Sequence, residues 1–262
     1  MKQKKQRSGL SHGLKFLIAI LGIWVLAGCS RAPVNAQSHG VWSHYFVYPF
    51  SEVIQFVATF FNGNYGLAII FLTIIIRCLL LPFTISQTKN QQKMKELQPE
   101  MKRIREKYKG KDKETQVKMQ QEVMALYQKH GVNPVSMGCM PLLIQMPILL
   151  AFYYAIIRTK EIAAHNFLWF NLGTPDPTHI LPIIAAITTF IQYKIINRQL
   201  EQVNPQIQMM GYIMPMIIVF SAWKLSAVLP LYWIVGNIFM TVQSIVLNRK
   251  RKNMQTAANS NS

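Results

Sequence analysis

Leu67–Ile85 is a run of nineteen residues in which Arg77 is the one charged side chain. At helical rise such a run is about 28 Å long, close to the hydrocarbon thickness of a bilayer. Four more apolar runs follow, Met137–Ile157, Ile180–Ile196, Gln208–Trp223 and Leu229–Leu247. Lipid gives a backbone N–H or C=O no partner, so runs of this kind are confined to helices. The expectation is an all-α membrane protein with five transmembrane helices, at 64–85, 134–158, 179–197, 207–223 and 229–248.

The connecting segments set the orientation. The chain is 51% hydrophobic yet carries a formal charge of +18, a combination that suits a polytopic protein with basic cytoplasmic loops. Segment 86–133 holds twelve basic and six acidic residues, and the tail at 249–262 opens on Arg249-Lys250-Arg251-Lys252. By contrast, the loop 159–178 has only Lys160, and the 29–50 linker only Arg31. The positive-inside rule therefore puts 86–133, 198–206 and the tail in the cytoplasm, and 29–50, 159–178 and the turn 224–228 outside.

The first 28 residues read as a lipoprotein signal peptide of a bacterial plasma-membrane protein. A basic start (Lys2, Lys4, Lys5, Arg7, Lys15) precedes the short apolar stretch Phe16–Leu26. Leu26-Ala27-Gly28-Cys29 then resembles a lipobox, so Cys29 is the expected lipidation site and palmitate-type anchor. Loss of 1–28 would leave a charge of +13. Cys78 and Cys139 look like small packing residues, and the six histidines are scattered, so no metal site or disulfide is expected.

Residues 51–63 read as an extracellular interfacial helix ended by Asn62-Gly63-Asn64. In 86–133, apolar residues recur at helical spacing: Met94, Leu97, Met101, Ile104 and Tyr108, then Val117, Met119, Val123, Leu126 and Tyr127. Gly110 interrupts the pattern and Gly131 ends it, which predicts an antiparallel helical hairpin with a docking role. Pro141, Pro147, Pro182 and Pro215 are expected at or near helix starts, and Asn253–Ser262 is expected to be disordered.

Polar residues inside the spans carry the functional signal. A charge at mid-bilayer costs roughly 2.5–3.5 kcal/mol on insertion scales, and no acidic residue of the apolar runs can pair with Arg77. Thr73 lies one turn from it, and Gln145, Gln192, Asn237, Thr241 and Gln243 add amides and hydroxyls. Single Gln and Thr residues often serve only as interhelical glue. Five guanidinium donors need acceptors or water, so a hydrated groove open to the cytoplasm is expected, with apolar outer halves closing it toward the outside. Methionines at 137, 140, 146, 209, 210, 214 and 216 would suit adaptable contacts or ordinary packing. No phosphate-binding glycine loop or catalytic triad is evident, so neither an enzyme nor a cofactor is expected.

Ile74-Ile75-Ile76-Arg77, Leu97-Gln98-Pro99-Glu100-Met101, Asn133-Pro134, Leu142-Leu143-Ile144-Gln145-Met146-Pro147-Ile148 and Leu231-Tyr232-Trp233-Ile234-Val235-Gly236-Asn237 occur in this order. Together they resemble the YidC/Oxa/Alb family of membrane protein insertases, from about Phe46 to Leu247. The lipobox resembles the Gram-positive form. Met140 departs from the aromatic residue many relatives carry there.

The resemblance implies a five-helix core around a groove with Arg77 as its arginine. It implies Thr73, Gln145, Gln192 and Asn237 as polar groove positions, and Tyr232 and Trp233 as the aromatic pair that meets substrate helices. The implied partners are nascent membrane proteins, anionic lipids, and the ribosome and Sec translocon as co-workers, with no DNA. On the residues alone, a small transporter or channel for an anionic solute, or a scaffold, stays open beside insertion.

Overall fold

The computed structural model describes residues 33–38, 40–108, 112–132, 140–201 and 205–260. The signal peptide and Cys29, with Asn133-Pro134 and Cys139, lie outside the described residues. The molecule is mostly helical.

A π-helical stretch, Ser43–Val47, leads into α1, Tyr48–Thr59, so helix begins well inside the segment expected to be a linker. The buried face of α1 (Ser51, Ile54, Val57, Ala58) follows the 3.6-residue period. Its end is a turn in which Asn62 and Gly63 take left-handed φ values of 52° and 80°. Asn64 then caps α2, Tyr65–Leu79, by accepting from Leu67 N at 3.0 Å.

The chain bends by 55° between α2 and α3, Leu81–Glu96. Pro82 explains the break: it has no N–H, and its ring opposes the carbonyl of the residue four places back, Cys78. The first expected span is thus a bent pair of helices, with Cys78 exposed rather than packed.

α3 leads into the hairpin of α4, Gln98–Lys107, and α5, Lys113–Lys129, capped by Asp112 through Thr115 N at 2.8 Å. Lys107 meets Glu122 at 3.0 Å, while Tyr127 donates to Met101 Sδ at 3.4 Å, a descending pairing that makes the arms antiparallel. Leu97, Met101, Ile104, Leu126, Tyr127 and Val132 form a separate small core here. The expected stripe is therefore present except at Val117, which is 51% exposed.

Helix α6 is Met140–Arg158, α8 is Ile180–Glu201, α9 is Pro205–Lys224 and α10 is Val228–Ser260; the short α7 is Lys160–Ala163. Pro147 and Pro215 lie inside α6 and α9 rather than near their starts. Residues 253–260, expected to be disordered, continue α10, because no glycine or proline follows Gly236 to stop it. Among the described residues, Val228–Arg249 is long and apolar enough to cross a membrane as one helix, and α2 with α3 as a bent pair. Ile144–Arg158, Ile180–Ile196 and Gly211–Lys224 are shorter apolar helices.

The main core joins α1, α2, α6 and α10 around Ile54, Ile69, Phe152, Ile156 and Val228. α8 packs against both α9 and α10, and α10 against α2. The 159–178 loop is more ordered than its composition suggests. β1, Asn166–Phe167, pairs antiparallel with β2, Phe170–Asn171, and the Phe167 ring fills the space over Gly66. Asp176, 1% exposed, accepts from Leu181 N at 2.8 Å, Thr178 N at 3.0 Å and Trp169 Nε1 at 3.2 Å. Burial pushes the Asp176 carboxyl up, but these hydrogen bonds outweigh it and hold the group below the ordinary carboxylate range.

Candidate functional site: an arginine held by neutral groups

Arg77 sits two residues before the end of α2, half-buried, where α2 faces α10 and α6. Tyr232, Gly236 and Met240 recur at four-residue intervals and so share one face of α10. All three meet Arg77. Its Cζ lies 5.7 Å from the Tyr232 ring centroid, a cation–π distance. Its Nη1 lies 3.5 Å from Met240 Sδ and donates to Gln145 Oε1 of α6 at 3.2 Å. A Cβ at Gly236 would stand 2.5 Å from Nη2. Its Nε is buried without a hydrogen-bond partner. Among the described residues no carboxylate pairs with Arg77.

Gln145 is held in turn. Its Nε2 donates to the Tyr232 hydroxyl at 2.6 Å, and Tyr232, 2% exposed, packs at a tilt on Phe152. Gln192 of α8 joins through Met240, with Nε2 3.3 Å from Sδ. Arg77, Gln145, Tyr232 and Gln192 are therefore one network.

Other expected groove residues stand apart. The Thr73 hydroxyl is buried and donates to Ile69 O of its own helix at 2.7 Å. Asn237 donates to Thr189 Oγ1 at 2.7 Å and Thr188 Oγ1 at 3.3 Å, which ties α10 to α8. Trp233 packs, half-buried, against the apolar core.

Beyond Met240 the polar surface continues. Gln243 Nε2 donates to Thr84 Oγ1 at 2.8 Å, closing α10 on α3. A cavity of about 50 Å³ lies between Gln87, Thr88 and Gln92 of α3 and Ser244 and Asn248 of α10, with Met240 in its wall. That is several times the smallest volume that accepts a water. Gln87 Nε2 is buried there without a partner. Away from it, Phe152, Ile156 and Val228 belong to the buried apolar core. Among the described residues no cluster of His, Cys, Asp or Glu could hold a metal ion.

Two contacts of Arg77 escaped sequence reasoning. Gly236 stood in a recognised motif without a role, and Met240 was not among the methionines singled out. The 3.6-residue spacing from Tyr232 was the available signal for both. Of those that were singled out, Met209, Met214 and Met216 are exposed.

The sequence matches the family described as 60Kd inner membrane protein over residues 56–255. The chain belongs to this YidC insertase family. It is 50% identical to "Membrane protein insertase MisCA" of Bacillus subtilis (strain 168), over 91% of this chain and 92% of the relative. It is 51% identical to "Membrane protein insertase YidC 2" of Bacillus anthracis, over 93% and 94%. The structure is similar to that of an active YidC insertase with its first transmembrane domain resolved, with a TM-score of 0.63 and 26% identity. That match covers 89% of this chain and 50% of the other, so the chain spans about half the solved protein's length.

Proposed function

We propose that this protein inserts newly made membrane proteins into the bilayer, receiving their polar segments in the groove headed by Arg77. The observation that carries the reading is a guanidinium with only neutral acceptors and a buried, unpartnered Nε. Such a group keeps its charge available for an incoming carboxylate. The adjoining polar cavity supports access by water from the α3 side.

The bilayer arrangement belongs to the same proposal. α2 with α3, α6, α8, α9 and α10 make five spans, and the basic hairpin of α4 and α5 and the end of α10 lie in the cytoplasm. α1 and the β1–β2 loop lie outside, with a lipid anchor at Cys29. The charge distribution supports this orientation. The groove lowers the cost of carrying a hydrophilic segment into hydrocarbon, where each charge or unpaired backbone group costs several kcal/mol. The arginine attracts an acidic terminus. Release of the apolar segment into lipid then drives insertion, helped for acidic segments by about 2.3 kcal/mol per charge per 100 mV of membrane potential. The basic hairpin and tail are suited to anionic lipid headgroups, and to the ribosome or Sec translocon as co-workers.

Depletion of the cell's own insertase followed by complementation tests the reading. Arg77→Ala should fail to insert a client with an acidic translocated terminus, and Arg77→Lys should restore part of the activity. Full activity of the alanine variant would remove Arg77 from the mechanism. Solute flux from reconstituted liposomes without client insertion would instead favour a transporter.

A further inference from the structure

We infer that Gly236 is a positioning residue that sets where the groove's charge lies, and thereby which clients the groove favours. The inference rests on the insertase reading above. A Cβ at position 236 would stand 2.5 Å from Arg77 Nη2, 3.1 Å from Cζ and 3.2 Å from Nε. The guanidinium thus occupies space that only glycine leaves open. On either side along the same face of α10, Tyr232 supplies an aromatic ring and Met240 a thioether. Both attract the cation without neutralising it. The gap at Gly236 lets the plane settle between them while Gln145 holds Nη1.

Helix propensity gives no reason for a glycine in mid-helix, since alanine is the better helix former. The helix–helix approach gives none either, because the three atoms nearest the added Cβ all belong to the Arg77 side chain. The strain of Gly236→Ala would therefore fall on the tip of a flexible side chain. The backbone would stay and the charge would move.

The test is a double-mutant cycle in the full-length protein, using one client with an acidic translocated segment and one with a neutral segment. Gly236→Ala should lower insertion of the acidic client by roughly three- to tenfold, as expected for residues in direct contact. The neutral client should change less than twofold. The variant's melting temperature in detergent should match or exceed that of the parent. In an Arg77→Lys background, where no guanidinium meets the new Cβ, Gly236→Ala should add no further loss.

Equal loss for both clients, or the same loss in the lysine background, would make Gly236 a packing residue and overturn the inference. Wild-type insertion of the acidic client by Gly236→Ala would do so as well. Failure of the insertase reading is separately visible, because the parent protein would then restore insertion of neither client.

Discussion

The Tyr232 hydroxyl is the acceptor that keeps Gln145 aimed at Arg77, although Tyr232 was expected to meet passing substrate helices. Phenylalanine in its place keeps the ring under the guanidinium but leaves a half-buried amide donor unpaired. The expected cost of Tyr232→Phe is about 1–2 kcal/mol, seen as a lower melting temperature in detergent. Insertion of acidic clients should fall less than in Arg77→Ala, since the charge stays in place. Asp176 does comparable work in the 159–178 loop. Asp176→Ala removes the acceptor of four donors and should cost roughly 2–3 kcal/mol. Its carboxyl is held below its ordinary value, so its contribution is complete above the unfolded pKa of about 3.9 and is lost as pH falls through the lower folded value. Melting curves from pH 6 down to pH 3 should show an acid-side decline that Asp176→Asn lacks.

Two devices belong to whole helices. The 55° bend between α2 and α3 carries the chain from the core to the hairpin, and Pro82 is its stated cause. Spin labels at the exposed positions Phe71 and Glu96 should move apart by about 4 Å in Pro82→Ala, the difference between a bent and a straight helix of this length. An unchanged distance would mean that packing against α10 imposes the bend. The hairpin rests on its own small core rather than on its charges. Leu126→Ala should cost about 2–4 kcal/mol locally and speed hydrogen exchange across α4 and α5. The Lys107–Glu122 pair holds the lysine pKa up and the glutamate pKa down through their mutual hydrogen bond, but both groups are at the surface. Lys107→Met should leave those exchange rates unchanged.

Across the whole protein, the apolar core around Phe152, Ile156, Leu172 and Val228 stands apart from the polar cavity where α3 meets α10. If this asymmetry serves insertion, a membrane-impermeant thiol reagent applied to intact cells should label a cysteine at Leu168 in the β1–β2 turn. A cysteine at Met124 in the hairpin should stay protected until the cells are opened. The reverse pattern would invert the proposed orientation.

Much of this was legible beforehand. Leu97, Met101, Ile104, Leu126 and Tyr127 could be assigned to a hairpin core because their spacing is a local, one-dimensional property of a helix. Arg77 and Gln145 could be singled out because a polar group in an apolar run is conspicuous without any partner in view. The bend at Leu80 was less legible, since Pro82 lay inside a run whose hydropathy hid it. The order of the 159–178 loop was hidden too, because it depends on Asp176 reaching Trp169 and Leu181 from a turn.

By itself, then, the sequence determined most of the stretches that become helices, much of the face each buries and the presence of one uncompensated charge. These follow from periodicity and transfer energies that act along the chain. Only the tertiary structure decided that Met240 and Gly236, more than 150 residues from Arg77, hold and shape its surroundings. Hydrogen bonds and steric gaps depend on distances in space, and those are settled only when α2, α6 and α10 pack together.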